Sequence, residues 1–421
     1  MTVLPTTASA PRASAVAEPP ILPLGAARLL AGASSGRAVD HLEHRALAGP
    51  LVHRTQAWLC EAARTVGLLG RGGAAFPVAT KLAAVRPGPA THVLVNGSES
   101  EPTSHKDRLL MRRVPHRVLD GALVAAAALG TSRVTVAVHD QEAAQALTTA
   151  CGERGDATAV RIVVTPAGFV AGEVQAVVNG LDGRPAVPNG RRTLPSDRGL
   201  EGRPTFAGNV ETFAQLGLLA LLGPSAYAAI GTGTEPGTSL VTVFGDVPRA
   251  GVAEVAHGTP LDLLTGATGD RPVLLGGYHG TWTRARGLLL DRPALRASGL
   301  AWGAGVVVVL PETTCPLGEV ARVARWLAQE SAGQCGPCVF GLASLADDIA
   351  RLQVGAPVDL PGLHRRLGLV SGRGACGHPD GAVRFLASAL AMFPEEIGDH
   401  TTSGGCGRPV LGVLPLPGSA R

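Results

Sequence analysis

The stretch Gly70-Arg71-Gly72-Gly73-Ala74-Ala75-Phe76-Pro77, followed by His92-Val93-Leu94-Val95-Asn96 and the turn Gly97-Ser98-Glu99-Ser100-Glu101-Pro102, decides how the chain is read. Apolar residues recur at helical spacing from Leu59 to Leu69, stop at the glycines and resume near Val78, so a glycine loop feeds a helix. Consecutive glycines let the backbone approach a ligand and turn several N–H groups inward, and a helix N-terminus adds partial positive charge suited to a phosphate. Lys81 follows one helical turn in. The run from His92 to Asn96 is a buried strand ending in an acidic turn, and open α/β sheets hold their ligands beyond such strand ends. The plain alternatives are a strand-to-helix turn without a ligand and a solvated acidic loop.

Lysine occurs only at Lys81 and Lys106, and the other basic residues of the 37 are arginine. Where arginine is the default, a compact ammonium points to a cramped phosphate site.

Working outward, a helix from about Pro115 to Leu129 and strands at Val134 to Val138 and Val160 to Val164 alternate as in a largely parallel α/β sheet. After Pro236 the pattern becomes strand (Leu240 to Phe244), turn (Gly245 to Gly251), strand (Val252 to Val255), then Thr259-Pro260 capping a short helix. That pattern predicts a small β-grasp-like unit ending near Leu310. Amphipathic spacing at Val320, Val323, Ala324 and Leu327, at Leu342, Leu345, Ile349 and Leu352, and at Val383, Leu386 and Leu390 predicts a closing helical bundle.

With 421 residues, 45% hydrophobic and 17% charged, the chain can fill two to four globular units. The formal charge of +4 is scattered rather than gathered into a basic stripe, which argues against nucleic acid as a partner. No apolar stretch approaches the roughly 18 residues of a membrane span, so a soluble protein is expected. The start is rich in Ala, Pro, Ser and Thr and lacks a charged segment followed by an apolar one; residues 1–25 read as a disordered leader and the chain as cytoplasmic.

Seven cysteines in such a chain point to metal binding or buried thiols rather than a disulfide framework. Cys335-Gly336-Pro337-Cys338, with Cys376 further on, has the spacing at which thiolates share one face of an iron–sulfur cluster. Ordinary buried thiols, or zinc on these three plus His378, are the alternatives. Cys60, Cys151 and Cys315 lack ligand spacing and read as packed thiols, and Cys406 stays open.

Gly-Arg-Gly-Gly-Ala-x-Phe-Pro, Asn-x-x-Glu-x-Glu-Pro, Lys106-Asp107-Arg108 and Pro115-His116 together resemble the flavin-binding region of the NADH-oxidising subunit of respiratory complex I and of related hydrogenase and formate dehydrogenase subunits. Gly168-Phe169-Val170-Ala171-Gly172-Glu173, Asn179, Gly183-Arg184-Pro185, and the segment from Gly199 to Thr212 extend the resemblance over roughly residues 58 to 395. It implies a Rossmann-like α/β FMN-binding domain over 26–236, a β-grasp-like domain over 237–312, a helical iron–sulfur domain over 313–398 and a tail over 399–421. It further implies FMN against Gly70, Gly72, Gly73, Lys81, Asn96, Glu99, Gly172, Glu173, Asn209 and Thr212, with Phe76 stacking on NADH and Glu101 orienting the donor. A 4Fe-4S or 3Fe-4S cluster would sit on Cys335, Cys338 and Cys376. Its fourth iron would be open or held by Cys406, His378 or a partner's ligand. Partners would be other redox subunits or a ferredoxin-like acceptor, with any membrane association peripheral and through a partner.

The chain departs from the family pattern at Ser98, Val174 and Gly208 on the flavin side, at Ala84, Leu194 and Arg191 on the NADH side, and at Ala332, where the first cluster cysteine belongs. Two missing rings forfeit roughly 0.5 to 1.5 kcal/mol each beyond lost area, about tenfold to a hundredfold in affinity together. Two readings result: an electron-transfer subunit passing electrons from NADH or another donor through FMN to a cluster and a partner, or a non-enzymatic scaffold or assembly protein of the same fold.

Overall fold

The computed structural model describes residues 18–25, 27–190, 193–266 and 270–417. Its strands in chain order are β1 (Ile21–Leu22), β2 (His92–Gly97), β3 (Val134–Val138), β4 (Val160–Val164), β5 (Thr205–Asn209) and β6 (Thr238–Gly245). They continue as β7 (Gly251–Ala256), β8 (Thr259–Pro260), β9 (Pro272–Leu275), β10 (Thr281–Arg284), β11 (Leu289–Leu290) and β12 (Val306–Val309).

The first sheet is all parallel, in the order β4-β3-β2-β5. The chain steps outward from β2 through β3 to β4 and returns on the far side of β2 as β5. The direction of winding therefore reverses between β2 and β5, where doubly wound sheets bind ligands. Asn96 and Asn209 are registered opposite each other at that carboxyl end.

Two helices on one face, Pro115–Ala128 and Val210–Tyr227, meet through glycine. A Cβ at Gly121 would lie 1.8 Å from the Phe213 carbonyl oxygen, and one at Gly217 would lie 2.9 Å from the Gly121 nitrogen. Small residues here let the backbones touch, and that contact fixes where Asn209, at the head of the second helix, stands.

The second sheet is mixed, in the order β1-β7-β6-β12-β9-β10. Alternation explains its valine-rich β12: Val306 and Val308 join the apolar cluster of the helical unit, whereas Val307 and Val309 join the cluster on the opposite face. Helices Pro316–Gln329, Ala343–Gln353, Leu360–Val370, His378–Met392 and Pro394–Ser403 form the bundle packed on the former face.

Several expectations change. The leader expected through residue 25 contains β1, whose Ile21 and Leu22 pair in parallel with Val252 and Ala253; residues 1–17 lie outside the described residues. Thr259-Pro260 is strand β8 paired with β11 rather than a helix cap, because the Thr259 hydroxyl donates to the Ala256 carbonyl, and the helix starts at Asp262. The boundary expected at 398 falls inside helix Pro394–Ser403, and the tail is bound, with Leu414 fully buried.

His116 of the Pro-His pair lies away from the glycine loop. Its Nε2 meets Glu153 at 2.9 Å, its ring stacks on His44, and His44 contacts Asp120 at 2.7 Å. Burial, outweighing the pull of Glu153, holds His116 down at about 4. The unfolded chain takes up this proton near 6.5, so the stability it confers is complete above 6.5 and lost as pH falls toward 4. Relative to His116→Gln, the native protein should lose stability as pH falls across that window. Urea denaturation of both proteins between those pH values checks the expectation, and parallel pH profiles would refute it.

Candidate functional site

The glycine loop is closed by an antiparallel bridge between Leu69 and Pro77, with the Gly70 N–H donating to the Phe76 carbonyl at 2.9 Å. Gly73 sits at φ 94°, a left-handed conformation that glycine tolerates, and Ala75 at φ 48°. The Arg71 N–H donates to the Thr212 hydroxyl at 2.9 Å, so Thr212 ties the loop to the helix beginning at Val210. A Cβ on Gly72 would lie 3.2 Å from the Asn209 Cβ. The N–H groups of Gly72, Gly73 and Ala74 are exposed and donate to no protein group among the described residues.

The helix directly after the loop, Val78–Ala83, is only six residues long. The stronger dipole beside the loop belongs to Val210–Tyr227, capped by Asn209, whose side chain accepts the Glu211 N–H. Lys81 donates to the Ala207 carbonyl on β5 at 3.1 Å, and burial lowers its ammonium below the usual range. Phe76 is 48% exposed, with the Lys81 ammonium 6.0 Å from its ring centre.

Across the strand ends the predicted polar residues assemble, largely by bonding to one another's backbone. Asn96 Nδ2 donates to the Gly172 carbonyl at 2.9 Å, binding the segment before Glu173 to the end of β2. A Cβ at Gly172 would strike the Ser100 hydroxyl at 2.4 Å, so only glycine fits. Glu173 caps helix Val174–Leu181 through one oxygen, and burial raises its carboxyl. Glu99, at φ 38°, accepts bonds from Ser104 Oγ and from the Asp107 and Arg108 N–H groups at 2.7 to 2.9 Å, so it caps helix Lys106–Arg113. The Ser98 hydroxyl, where an acid is usual, is buried with no hydrogen-bond partner among the described residues.

Glu101, expected to orient a donor, is buried with both carboxylate oxygens bonded within the protein. One oxygen accepts from the Thr103 N–H and hydroxyl, and the other from the Tyr278 N–H at 2.8 Å. Burial pushes its carboxyl up to about 7. It clamps the acidic turn against the loop after β9 and serves as a positioning residue.

A buried ion network that carries no sequence signal underlies the site. Lys106 Nζ reaches Asp107 Oδ1 and Glu211 Oε2, both at 2.9 Å, and Asp107 Oδ2 accepts from Asn209 Nδ2 at 2.6 Å. Glu211 also accepts the Leu240 N–H and lies 3.8 Å from Arg71. Arg71 approaches Glu235, which pairs with Arg292. Burial alone would lower the Lys106 ammonium, but the carboxylates of Asp107, Glu211 and Glu99 outweigh it and hold the group above its usual range. Burial likewise raises Asp107, to about 6. The two lysines differ in surroundings: Lys81 bonds the Ala207 carbonyl with its ammonium 6.0 Å from the Phe76 ring centre, and Lys106 is a structural ion.

A cavity of about 340 Å³ adjoins the other flank of the acidic turn, lined by Ser98, Glu99, Arg108, His139, Phe169, Trp326 and Glu330 among others. The glycine loop does not line it. It joins the strand ends of the first sheet to the helical unit, where Glu330 accepts the Phe169 N–H at 2.7 Å.

The Cys335 and Cys376 thiols lie near enough to Cys338 to act on its charge. Cys335 and Cys338 flank the entry to a single π-helical turn at Pro337–Leu342, a distortion frequent at functional sites, and Cys338 N–H donates to the Cys335 carbonyl. Burial, then the neighbouring thiols of Cys335 and Cys376, push Cys338 up to about 11. His378 is not a free fourth ligand: Nε2 meets the Leu327 carbonyl at 2.8 Å and Nδ1 meets His279 at 3.1 Å. Cys406 is also removed from this group, because it joins Cys315 and His400. Of the NADH-side departures, Leu194 is 58% exposed, Ala84 is exposed, and Arg191 lies outside the described residues.

Residues 63–217 match the family described as the Nuo51 FMN-binding domain, and residues 318–400 match the NADH-ubiquinone oxidoreductase-F iron-sulfur binding region. The NADH-quinone oxidoreductase F 2 polypeptide of Rhizobium meliloti (strain 1021) is 29% identical over 392 residues, covering 86% of this chain and 93% of that protein. Its F-type counterpart in Mycobacterium bovis (strain ATCC BAA-935 / AF2122/97) is 30% identical over 375 residues, covering 81% and 84%. A crystal structure of an NAD+-reducing [NiFe]-hydrogenase in the H2-reduced state superposes with a TM-score of 0.76 at 28% identity, over 91% of this chain and 67% of that one. With site motifs, fold and sequence in agreement, the chain belongs to the family of F-type subunits of NADH-quinone oxidoreductase.

Proposed function

We propose that this chain is the electron-entry subunit of a larger redox assembly, taking electrons from NADH at FMN and releasing them through an iron–sulfur cluster to a partner protein. The observation that carries the reading is the set of three exposed residues with uncommitted amides, Gly72, Gly73 and Ala74, beside the N-terminus of the helix that begins at Val210 and runs unbroken up to Gly223, at the sheet's switch point. A phosphate would satisfy those amides, with Lys81 as the cation proposed to meet it. Gly70, Asn96, Glu99, Gly172, Glu173 and Thr212 shape the cleft, mostly through the bonds they make to neighbouring backbone. Bound FMN would supply the exchange between two-electron and one-electron chemistry. The 340 Å³ cavity, reaching from the acidic turn to Trp326 and Glu330, lies between the flavin end and the bundle.

For the cluster, the C-x-x-C pair Cys335 and Cys338 with Cys376 would supply three thiolate ligands, and Ala332 leaves the fourth position to solvent or a partner. Phe340 is 75% exposed and Val339 43% exposed beside these cysteines, an apolar face suited to a redox subunit or ferredoxin-like acceptor. The finer architecture belongs to the same proposal: a Rossmann-like unit to about 236, a β-grasp-like unit to about 312, then the helical cluster unit. Among the described residues, no helix is long and apolar enough to cross a membrane.

Anaerobically purified protein should show flavin and iron–sulfur absorbance, and NADH should bleach the flavin band. Protein that stays colourless after reconstitution with FMN, iron and sulfide would instead favour the scaffold. Lys81→Ala should weaken FMN binding about 10- to 100-fold, the range of one charge-assisted hydrogen bond. Fluorescence titration measures it, and unchanged affinity would remove Lys81 from the phosphate site.

A further inference from the structure

A second cluster of soft ligands lies at the far side of the helical unit. Cys315, His400 and Cys406 each offer one ligand atom, and the three atoms lie within 4.8 Å of one another. Cys315 Sγ is 3.4 Å from His400 Nε2. A tetrahedral zinc with bonds of about 2.0–2.3 Å separates its nitrogen and sulfur ligands by roughly 3.5 Å. The Cys315–His400 spacing matches that separation, and the third ligand atom lies within 4.8 Å of both.

The three residues come from three elements. Cys315 is the N-cap of helix Pro316–Gln329, its sulfur accepting the Gly318 N–H at 3.3 Å. His400 sits in the last turns of helix Pro394–Ser403 and Cys406 in the strap that follows. His400 is 3% exposed; its Nε2 meets Cys315 Sγ, and its Nδ1 has no hydrogen-bond partner among the described residues. Beyond Cys406 the strap crosses the start of the first bundle helix: Cys315 N–H donates to the Pro409 carbonyl, and Glu319 accepts the N–H groups of Gly412, Val413 and Leu414. The matched iron–sulfur region ends at 400, and Cys315 precedes its start at 318.

We infer that Cys315, His400 and Cys406 form a second metal site that binds one Zn²⁺ and fastens the C-terminal strap to the bundle. The set is soft and tetrahedral in spacing, the chemistry that zinc satisfies, and it leaves the fourth position to solvent. It needs neither the flavin nor the cluster, and so does not rest on the proposed redox reading.

Metal analysis of the full chain tests the inference. After exposure to Zn²⁺ and desalting, wild type and Cys335→Ser should each retain about one zinc per chain, while Cys406→Ser and His400→Asn retain little. Loss of zinc should also expose the Ser403–Arg408 strap to proteolysis at a rate several-fold higher. Should those variants fail to fold, Co²⁺ added to Cys335→Ser/Cys338→Ser/Cys376→Ser decides, with thiolate-to-cobalt charge-transfer absorbance at one equivalent expected. Zinc retained by Cys406→Ser, zinc lost instead with Cys335→Ser, no cobalt band in the triple variant, or a Cys315–Cys406 disulfide in anaerobically isolated protein would each overturn it.

Discussion

Glu211→Ala is expected to lower stability by about 3–5 kcal/mol, the range for removing one partner from a buried ion pair. Glu211 is 1% exposed, and its two oxygens answer Lys106 and the Leu240 N–H, with Arg71 3.8 Å away. Alanine leaves Lys106 with Asp107 alone and weakens the hold on Arg71, two cations that have no route to water. The damage should also reach the cofactor cleft. Arg71 lies inside the glycine loop, and Lys106 holds Asp107, which in turn holds Asn209. Denaturant midpoint and FMN affinity should therefore fall together. Glu211→Gln separates charge from shape: it retains an acceptor for Leu240 but not the charge facing Lys106, and its loss should fall between wild type and alanine. A fall in stability with FMN affinity untouched would show that the network supports the fold without setting the loop.

The parts of this architecture that are legible in the sequence are those governed by local pattern. β3 and β4 stand at the bounds their sequences predict, because β-branched runs flanked by polar turns leave little choice. The cysteine spacing and the glycine loop are likewise visible, since both act through neighbours in the chain. β1 is not, because two residues acquire strand character only by pairing with Val252 and Ala253. Thr259-Pro260 carries a helix-start signal that tertiary pairing overrides.

Within the site the sequence identifies the right neighbourhood more readily than the right roles. A carboxylate in an acidic turn looks the same whether it faces a ligand or caps a helix, and Glu99 and Glu101 both prove to be spent on backbone N–H groups. Arg71, Glu211, Glu235 and Arg292 give no signal because their partners lie far along the chain. Cys315 and His400, 85 positions apart, have no spacing signal at all.

Cys338→Ser should abolish cluster assembly and with it electron delivery through the cluster to a partner protein, while leaving flavin reduction by NADH in place. The thiol is buried and pushed up to about 11, so in the metal-free protein it is protonated at neutral pH. Iron must displace that proton, and a serine hydroxyl yields its own far less readily, so the exchange removes one of three ligands in a site already lacking the one at Ala332. Two thiolates are too few to hold a cubane. Iron content should drop to near background, and ferricyanide-type reduction that bypasses the cluster should persist where acceptor reduction through it does not. The reciprocal change, Ala332→Cys, supplies the thiolate that the family pattern places there and should raise iron retention during gel filtration in air. Full iron content in Cys338→Ser would place the cluster elsewhere, and an unaltered Ala332→Cys would mean that the open position is already filled from outside the chain.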